Sequence, residues 1–421
     1  ALSSAASDVY KRQAEDGTES RSYPYSNLFA HIVGYATNGK SGIESVHNYD
    51  LLSSHASILD QIREEKLDTK VQGDSLVLTL NTQLQQVCYD ALGDNKGAIV
   101  VLEPSTGKVL AMVSKPDFDP NTIEQDWDAL INDDSNSSLF NRALQGQYPP
   151  GSTFKIITMS AGLSEGVVSP NDSFFCPGYK IVEDRRIHCH KRTGHGAENF
   201  VQGAQNSCNP VFIEVGLRLG VEKFCDYFRN FGLMEKTGID LPGEASTIMH
   251  KEENIGEVEL ATMAFGQSFQ ITPIRLAATV SALVNGGKMV TPHVATDVLD
   301  EEGNVVKHLK FPEKEGVLSE ETSRTVREIL ESVVSEGSGK NAYLEGYSIG
   351  GKTATSQTLP RSANRYISSF LGFTPAEHPT VLGLCIIRNP QGVYYGGTIC
   401  APVIRDIFSN VLPYLGIGHN S

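Results

Sequence analysis

A serine and a lysine three residues apart are the first candidates for chemistry in this chain of 421 residues. They are Ser152 and Lys155, in the stretch PGSTFKI, which begins with a proline-glycine pair and leads into an apolar run. Positions three apart share one face of a helix, with Cβ atoms about 5–6 Å apart, so the ammonium can reach the hydroxyl. A serine hydroxyl needs an adjacent base to become a good nucleophile. A lysine that is partly desolvated near other cations has a lowered pKa and can act as that base.

The spacing alone does not decide between catalysis and structure. The same spacing occurs at Ser105 and Lys108, in PSTGK, where proline and glycine predict a solvated turn between the strands GAIVVLE and KVLAMVS. Ser152 and Lys155 by themselves also fit a helix-capping serine followed by a lysine that reaches solvent. Two later stretches favour the catalytic interpretation.

The first of these stretches is SCN, at residues 207–209. It places the hydroxyl of Ser207 and the carboxamide of Asn209 two residues apart in a short turn. Both side chains can then point into one cleft, while Cys208 points away from it.

The second stretch is GGKTATS, at residues 350–356. Strand alternation places Lys352 and Ala354 on one face, with Thr353 and Thr355 on the other. Each stretch is a weak signal alone, because S-x-N also occurs at 169–171 and 362–364. The order and spacing of the three stretches carry the interpretation.

The elements that position these residues follow from hydrophobic periodicity. SLVLTLN alternates like a strand, and TQLQQVCYDAL has a helical period opened by a capping threonine. The region 160–290 is mostly helical in pattern, with long irregular stretches between the helices. The end of the chain returns to strands, YSIGGKTATSQ, YISSFLGFTP and TVLGLCIIRN, and closes with the amphipathic helix APVIRDIFSNVLPYLG. This order predicts an α+β domain whose sheet unites both halves of the chain.

Composition excludes several functional classes. Lys and Arg total 35 against 50 Asp and Glu, and the net charge of −15 disfavours a nucleic acid partner. The given sequence contains no run of eighteen apolar residues, so it predicts no membrane span within these residues. Seven cysteines, an odd number in a chain of this length, do not indicate a disulfide scaffold.

The three motifs, in this order, resemble the signature motifs of the penicillin-binding transpeptidases and serine β-lactamases. Further stretches resemble class B penicillin-binding proteins of Gram-positive bacteria: RSYPYSNLFAHIVGY, GKSGIE, GAIVVLEPSTGKVLAMVSKPDFDPN, NRALQGQYPPGSTFKI, AFGQSFQITPIRLA and YYGGTICAPVIRDI. The resemblance covers nearly all of residues 21–417. It implies a serine β-lactamase-like transpeptidase domain, an antiparallel sheet flanked by helices with a helical subdomain.

The resemblance also implies a division of the chain. Residues 74–417 would form the transpeptidase domain, and residues 21–73 a remnant of the N-terminal pedestal or dimerisation domain with its linker. Residues 1–20 lack an amphipathic period and are interpreted as a non-native or disordered leader, and 418–421 as a tail. The family implies an N-terminal membrane anchor, missing from this chain, and a site of action at the extracytoplasmic face of the plasma membrane.

The resemblance assigns the covalent chemistry to three side chains. Ser152 would attack the D-Ala-D-Ala carbonyl of a peptidoglycan stem peptide and form an acyl-enzyme, with Lys155 taking its proton. Ser207 would relay a proton to the departing amine. The amine of a second stem peptide would then resolve the acyl-enzyme and close a cross-link. Penicillin would mimic the donor and stay attached, and a D,D-carboxypeptidase side reaction is open to the same site.

Substrate binding is assigned to the second and third motifs. Asn209 would hold the peptide amide, while Lys352 and Thr353 would bind the substrate carboxylate. The oxyanion hole would be the backbone N–H groups of Ser152 and Thr355. The third motif departs from the family pattern because Ala354 stands where glycine is usual, and we expect slight repacking to absorb the extra methyl group at a cost of about 1 kcal/mol.

A candidate metal site lies between the first and second motifs. Its members are separated by twelve, five and twelve intervening residues: Cys176, Cys189, His195 and Cys208. A Cys3His set suits tetrahedral zinc, and some elongation-type members of the family hold zinc next to the same motif. A Cys176–Cys189 disulfide and unligated thiols remain as alternatives to this structural zinc. The catalytic chemistry itself requires no cofactor.

Two other functions stay open at this stage. A β-lactamase of the same fold would need a carboxylate that activates water, and Glu244 and Glu252 lie downstream of the second motif. A non-catalytic β-lactam sensor or scaffold would bind penicillin without cross-linking. The family further implies a membrane glycan polymerase as partner, whereas a role in elongation (cell shape), cell division or sporulation is not decided by the sequence.

Overall fold

The structure, a computed structural model, describes residues 10–13, 19–52 and 73–413. In chain order its strands are β1 Tyr10–Gln13, β2 Glu19–Ser22, β3 Ser75–Leu78, β4 Gly97–Leu102, β5 Val109–Lys115, β6 Ser173–Cys176, β7 Tyr179–Val182, β8 Arg185–His188, β9 Gly196–Asn199, β10 Met289–Val290, β11 Ala295–Leu299, β12 Val305–His308, β13 Glu313–Lys314, β14 Gly350–Gln357, β15 Tyr366–Thr374 and β16 Val381–Arg388.

The helices alternate with these strands along the chain. They are α1 Ala30–Val33, α2 Gly42–Val46, α3 Asn48–Leu52, α4 Thr82–Leu92, α5 Ile123–Ile131, α6 Lys155–Glu165, α7 Phe200–Gln205, α8 Asn209–Asn230, α9 Glu257–Met263, α10 Pro273–Val284, α11 Glu320–Ser335, α12 Gly396–Ile399 and α13 Ala401–Val411. Short 3₁₀ helices cover Ser26–Phe29, Gly151–Phe154, Glu252–Asn254, Lys340–Ala342 and Arg361–Ala363.

The central sheet has five antiparallel strands in the order β14-β15-β16-β4-β5. It joins strands from both halves of the chain, so the predicted α+β architecture is confirmed. Alternate residues of β4 serve two separate cores. Val100 packs on the face covered by α10, while Ile99 and Val101 pack on the face covered by α4 and α13. Because both faces are buried, the strand sequence reads as a continuous apolar run.

The helix that follows the first motif lies inside the domain. In α6 the residues from Lys155 to Gly162 are all buried, and the helix packs against α8 and α11. Phe154, just before it, packs its ring 4.7 Å from that of Phe269. Gly166 ends the helix in the left-handed conformation, φ 73°.

The region between the first and second motifs contains more strand than its sequence predicts. Strands β6 and β9 pair with each other, and β7 pairs with β8, with Tyr179 opposite His188. These four strands occupy one of the stretches predicted to be irregular. The capping threonine predicted for α4 is also wrong by one position, since Asn81 is the N-cap and its side chain accepts from the Leu84 N–H.

The described N-terminal segment shares the core of the main domain. Tyr23, Phe29, Ile32 and Val33 belong to the same buried cluster as residues of β4 and α10. Residues 53–72 of the predicted pedestal remnant and linker (21–73), the tail 418–421 and most of the leader 1–20 lie outside the described residues. Within the described part of the chain, no helix has the length and apolar character needed to cross a bilayer.

Candidate active site

The position before Ser152 accepts only glycine. Ser152 lies in the 3₁₀ helix Gly151–Phe154, where Gly151 has φ +58° and donates its N–H to the Gly266 carbonyl at 2.9 Å. A Cβ at position 151 would lie 2.2 Å from Oγ of Ser356 and 3.3 Å from Cβ of Ala354. The serine is thus held at a close contact between this helix and β14.

Lys155 begins α6 and is fully buried. Its ammonium donates to the Ser207 carbonyl at 2.7 Å, to Oδ1 of Asn209 at 2.8 Å and to Oγ of Ser207 at 3.2 Å. Burial lowers the pKa of this lysine to about 8. A lysine with that pKa can lose its proton near neutral pH and act as a base.

Lys352 donates a hydrogen bond to the same hydroxyl. The side chain is buried, and its ammonium donates to Oγ of Ser207 at 2.8 Å. Burial, together with repulsion from Lys155, holds the pKa of Lys352 well below its usual range. Oγ of Ser207 is therefore a bridge between two buried amines, and their repulsion favours the state in which only one of them carries charge.

The turn that carries Ser207 is stabilised by its own backbone. Ser207 has φ +51°, and the N–H groups of Ser207 and Cys208 donate to the carbonyls of Ala204 and Gly203 at 3.0 and 2.8 Å. Asn209 follows as the first residue of α8, and its Nδ2 donates to the His188 carbonyl at 3.0 Å. The left-handed serine allows α7 to end and α8 to begin within three residues.

The third motif alternates as predicted. Lys352 and Ala354 are buried on one face of β14, and Thr353 and Thr355 are partly exposed on the other. Oγ1 of Thr355 accepts from the Gly396 N–H at 3.0 Å. The Ala354 methyl group faces Gly151, so it fills space that the missing side chain of that glycine leaves free.

The three motifs therefore meet in one place. Lys155, Ser207, Asn209 and Lys352 form a single hydrogen-bonded network, with Ser152 one turn before Lys155. The described hydrogen bonds of the Lys155 ammonium are made to Ser207 and Asn209 rather than to the Ser152 hydroxyl. Sequence analysis also missed the His188 carbonyl, because a backbone group on a neighbouring hairpin leaves no residue-type signal.

The four predicted metal ligands also come together. The ligand atoms of Cys176, Cys189, His195 and Cys208 lie within 4.8 Å of one another. All seven cysteines are free thiols, so the Cys176–Cys189 disulfide does not form in this structure. Burial lowers the pKa of His195, and a hydrogen bond with Cys208 lowers the pKa of the Cys189 thiol, so a neutral imidazole and a thiolate are favoured. These donors fit a tetrahedral soft-metal site.

A buried carboxylate lies beside this cluster. Glu198 is 5% exposed, and its Oε1 lies 4.0 Å from Nδ1 of His195 without a hydrogen-bond partner among the described residues. Its Oε2 accepts from Nδ2 of Asn206 at 2.9 Å. His188, at the end of β8, and His190, in the loop after it, are both exposed, and Cys88, Cys225, Cys385 and Cys400 are buried thiols elsewhere in the domain.

The two carboxylates considered for water activation have other contacts. Glu244 is buried and accepts from the Thr237 N–H at 2.7 Å and from the Thr237 hydroxyl at 3.0 Å. Glu252 pairs with Arg229 at 2.7 Å on the surface. Neither carboxylate hydrogen-bonds to the network around Ser207 within the described part of the chain.

Comparison with known proteins places this geometry in context. Residues 97–409 match the family model described as "Penicillin binding protein transpeptidase domain". The chain is 39% identical over 432 residues to "Stage V sporulation protein D" of Bacillus subtilis, covering 96% of this chain and 65% of that protein. It is 29% identical over 447 residues to "Peptidoglycan D,D-transpeptidase MrdA" of Acinetobacter baumannii, covering 92% of this chain and 65% of that protein. The chain thus spans just under two thirds of the length of these relatives.

A solved structure has the same architecture. The D,D-transpeptidase domain of a peptidoglycan glycosyltransferase from Eggerthella lenta superposes with a TM-score of 0.87 at 27% sequence identity. The superposition covers 97% of this chain and 96% of that chain. The agreement therefore extends over the described N-terminal segment as well as the central sheet.

Proposed function

The chain belongs to the penicillin-binding protein transpeptidase family, in its class B branch as the stretches outside the three motifs predict, and from that premise we propose that it is a serine D,D-transpeptidase. Its substrates are peptidoglycan stem peptides that end in D-Ala-D-Ala. The observation that carries the proposal is the Ser207 hydroxyl, which lies 3.2 Å from the Lys155 ammonium and 2.8 Å from that of Lys352. Lys155 itself lies one helical turn after Ser152. This hydrogen-bonded path through the Ser207 hydroxyl can move a proton between a nucleophile and a leaving group.

Acylation begins with Lys155 in its neutral form. As Oγ of Ser152 bonds to the carbonyl carbon of the penultimate D-Ala, Lys155 takes the hydroxyl proton. The proton passes through Oγ of Ser207 to the nitrogen of the terminal D-Ala as the peptide C–N bond breaks. The backbone N–H groups of Ser152 and Thr355 stabilise the oxyanion.

The second and third motifs bind the donor peptide. Lys352, with Thr353, attracts the terminal carboxylate of the donor, and Asn209 hydrogen-bonds to its peptide amide. Burial and repulsion from Lys155 hold the pKa of Lys352 well below its usual range, so we propose that the donor carboxylate itself favours the charged form of Lys352 when it binds. The amine of a second stem peptide then attacks the ester carbonyl and loses a proton, and the Ser152 oxygen takes up a proton as its C–O bond breaks.

A β-lactam acylates Ser152 in the same way, but its leaving amine remains part of the acyl group because the broken C–N bond belongs to a ring. Water is poorly activated at the ester, since Glu244 and Glu252 are held by other residues. This disfavours the alternative β-lactamase, and the intact set of Ser152, Lys155, Ser207, Asn209 and Lys352 disfavours the alternative binding-only sensor. The site of action is the extracytoplasmic face of the plasma membrane, with an N-terminal anchor and a membrane glycan polymerase as further proposed features.

We also propose that Cys176, Cys189, His195 and Cys208 hold a structural zinc ion. The mutual distances below 4.8 Å and the buried thiols support it. Bound zinc would link β6 and the loop after β8 to Cys208, and so would brace the turn that presents Ser207 and Asn209. Metal analysis of the purified protein should give one zinc per chain, lost in Cys189→Ser and retained in the control Cys225→Ser, a buried thiol outside the cluster. Equal zinc content in the two variants would refute the site.

The transpeptidase proposal is tested with a fluorescent penicillin and a Ser152→Ala control. A wild-type adduct that persists for hours, together with dimer formation from synthetic stem peptides, is the expected result. An adduct that clears quickly with hydrolysed drug identifies a β-lactamase. A stable adduct without cross-linking identifies a sensor, and an adduct on Ser152→Ala contradicts the nucleophile.

A further inference from the structure

The β7–β8 hairpin carries an unusual concentration of positive charge. Residues 179–192 contain five lysines and arginines against two carboxylates, whereas the whole chain has a net charge of −15. Lys180 is paired with Glu214 at 2.5 Å, and Arg185 lies 3.5 Å from Asp184. Arg186, Lys191 and Arg192 are exposed and form no ion pair with any described residue. Three cations are therefore available to a ligand.

One face of the hairpin packs on the protein, and the other faces solvent. Val182 is buried and Ile187 is partly buried against Ile213 and Ala261. The opposite face carries Tyr179, Ile181, Arg186 and His188, since Tyr179 is opposite His188 and Ile181 is opposite Arg186. Ile181 is 55% exposed. We call these four residues, with Lys191 and Arg192, the cationic face.

The cationic face is partly preorganised. The guanidinium of Arg186 lies 4.4 Å from the centroid of the Tyr179 ring, and the ring of His188 is 6.4 Å from the same tyrosine. The loop with Lys191 and Arg192 folds back on the hairpin, because a Cβ at Gly178 would lie 2.1 Å from the Arg192 carbonyl. An aromatic ring, an exposed isoleucine and unpaired cations together suit an extended peptide that bears carboxylates.

The cationic face adjoins the candidate active site. Asn209 connects the two, since its Nδ2 donates to the His188 carbonyl and its Oδ1 accepts from Lys155. On β14, Lys352 donates to Oγ of Ser207. Lys352 and Thr353 are assigned above to the carboxylate of the donor, which leaves the hairpin for the second substrate. A four-residue strand spans about 13 Å, enough to contact about four residues of an extended peptide.

We propose that the cationic face is the docking surface for the acceptor stem peptide, and that it selects acceptors with free carboxylates over amidated ones. This inference rests on the proposed transpeptidase function. The acceptor lies along β7–β8 with its carboxylates near Arg186, Lys191 and Arg192 and its amine directed toward Ser152. An anionic phosphate polymer of the cell wall is the competing occupant, but it gives no reason for a cationic face next to Asn209.

The test compares two synthetic acceptor peptides of equal length, one with free carboxylates and one with the same groups amidated. The enzyme is acylated with a small thioester donor, and the aminolysis rate is followed against acceptor concentration. Wild-type enzyme should have a KM about fivefold lower for the carboxylate acceptor, and the difference should shrink at high ionic strength. Ser152-dependent labelling by penicillin, which involves no acceptor, tests the proposed function separately.

The variant Arg186→Gln, Lys191→Gln, Arg192→Gln should abolish this preference. The matched control removes three exposed cations elsewhere, Lys236→Gln, Lys251→Gln and Lys310→Gln, and should retain it. The single variant Arg186→Gln changes β8 and leaves the loop that follows Cys189 intact, so it should lose part of the preference even if the triple variant folds poorly. Equal KM values for the two acceptors on wild-type enzyme, or the same loss in the control, would overturn the proposal. A triple variant that keeps the preference for the carboxylate acceptor but no longer binds a polyphosphate chain would also overturn the proposal, because the cationic face would then bind the phosphate polymer instead.

Discussion

At the scale of single residues, the protonation of Lys155 should set the rate of acylation. Burial lowers its pKa to about 8, and only the neutral amine can accept the Ser152 proton. Below this pKa the neutral fraction falls about tenfold per pH unit, and above it the fraction approaches one. We expect the second-order rate constant for penicillin acylation to rise with pH up to about 8 and then level off. The measurement is the rate of adduct formation across this pH range.

The control for this prediction is Lys155→Arg. The guanidinium remains protonated throughout the range, so acylation should be at least about a hundredfold slower and should show no rise near pH 8. A wild-type profile without an inflection there, or with one at the ordinary lysine value, would mean that Lys155 is not the base.

A second prediction separates the hydroxyl of Ser207 from its backbone. Ser207→Ala and Ser207→Gly both remove the bridge between the two lysines, so both should slow acylation by about a hundredfold or more. Their stabilities should differ, because Ser207 has φ +51° and glycine adopts this conformation without steric cost. Urea denaturation should show the glycine variant more stable than the alanine variant by about 1 kcal/mol. Rapid acylation by either variant would exclude the proton relay.

At the scale of elements, the contact between β14 and the 3₁₀ helix Gly151–Phe154 controls where Ser152 lies. A Cβ at position 151 would lie 2.2 Å from Oγ of Ser356, and φ +58° adds strain. Gly151→Ala should therefore cost about 2 kcal/mol or more in the free energy of unfolding and should slow acylation. Ala354→Gly removes one methyl from the same contact and should change the free energy of unfolding by no more than about 1 kcal/mol.

Both variants are measured by urea unfolding and by penicillin labelling at a temperature where each is folded. Ala354→Gly restores the residue usual in the family, so its acylation rate should stay within a few-fold of wild type. An Ala354→Gly protein that acylates far faster than wild type would show that the methyl group restricts access to Ser152. A Gly151→Ala protein with wild-type stability would contradict the close packing.

The same element shows which features could be predicted from sequence. Strand alternation in GGKTATS predicts the two faces of β14, because its pattern is local. The partners of Lys155 could not be predicted, since Ser207 and Asn209 are more than fifty residues away and their distance depends on packing. Strands β6 to β9 were missed because each has only four residues, and pairing rather than alternation defines them. Asn81 and Thr82 are both good caps, so composition alone does not choose between them.

At the scale of the whole molecule, the N-terminal segment is joined to the main domain by polar contacts as well as by the core. Asn121 accepts from the Tyr23 N–H and donates to the Tyr23 carbonyl, both at 2.9 Å. At the far end of the segment, Nδ1 of His47 lies 3.0 Å from Asp50, and Nε2 lies 3.9 Å from Asp240. Asp240 in turn accepts from the backbone N–H groups of Val294 and Ala295 at 2.8 and 2.9 Å. His47 thus connects α3 to the start of β11.

This junction should make the stability of the whole molecule depend on pH. Interaction with Asp240, and then with Asp50, raises the pKa of His47 above its ordinary 6.5, although burial opposes the shift. A raised pKa means that the folded chain binds the proton more tightly than the unfolded chain. The stabilisation is therefore complete below pH 6.5 and is lost as the pH rises through the folded value. Lys307, 3.0 Å from Asp50, competes for that carboxylate and limits the size of the effect.

The measurement is urea unfolding of wild type and His47→Gln at a series of pH values around and above 6.5. His47→Gln should be less stable than wild type at acid pH, and the difference should shrink as the pH rises, because only the wild type loses a charged contact. His308→Gln is the matched control, since His308 also pairs with a carboxylate but is 74% exposed, so water screens that pair. A difference between wild type and His47→Gln that is constant with pH would mean that His47 contributes packing alone. In that case the N-terminal segment would be held to the main domain by the shared buried cluster and by the hydrogen bonds between Asn121 and Tyr23 rather than by the imidazolium.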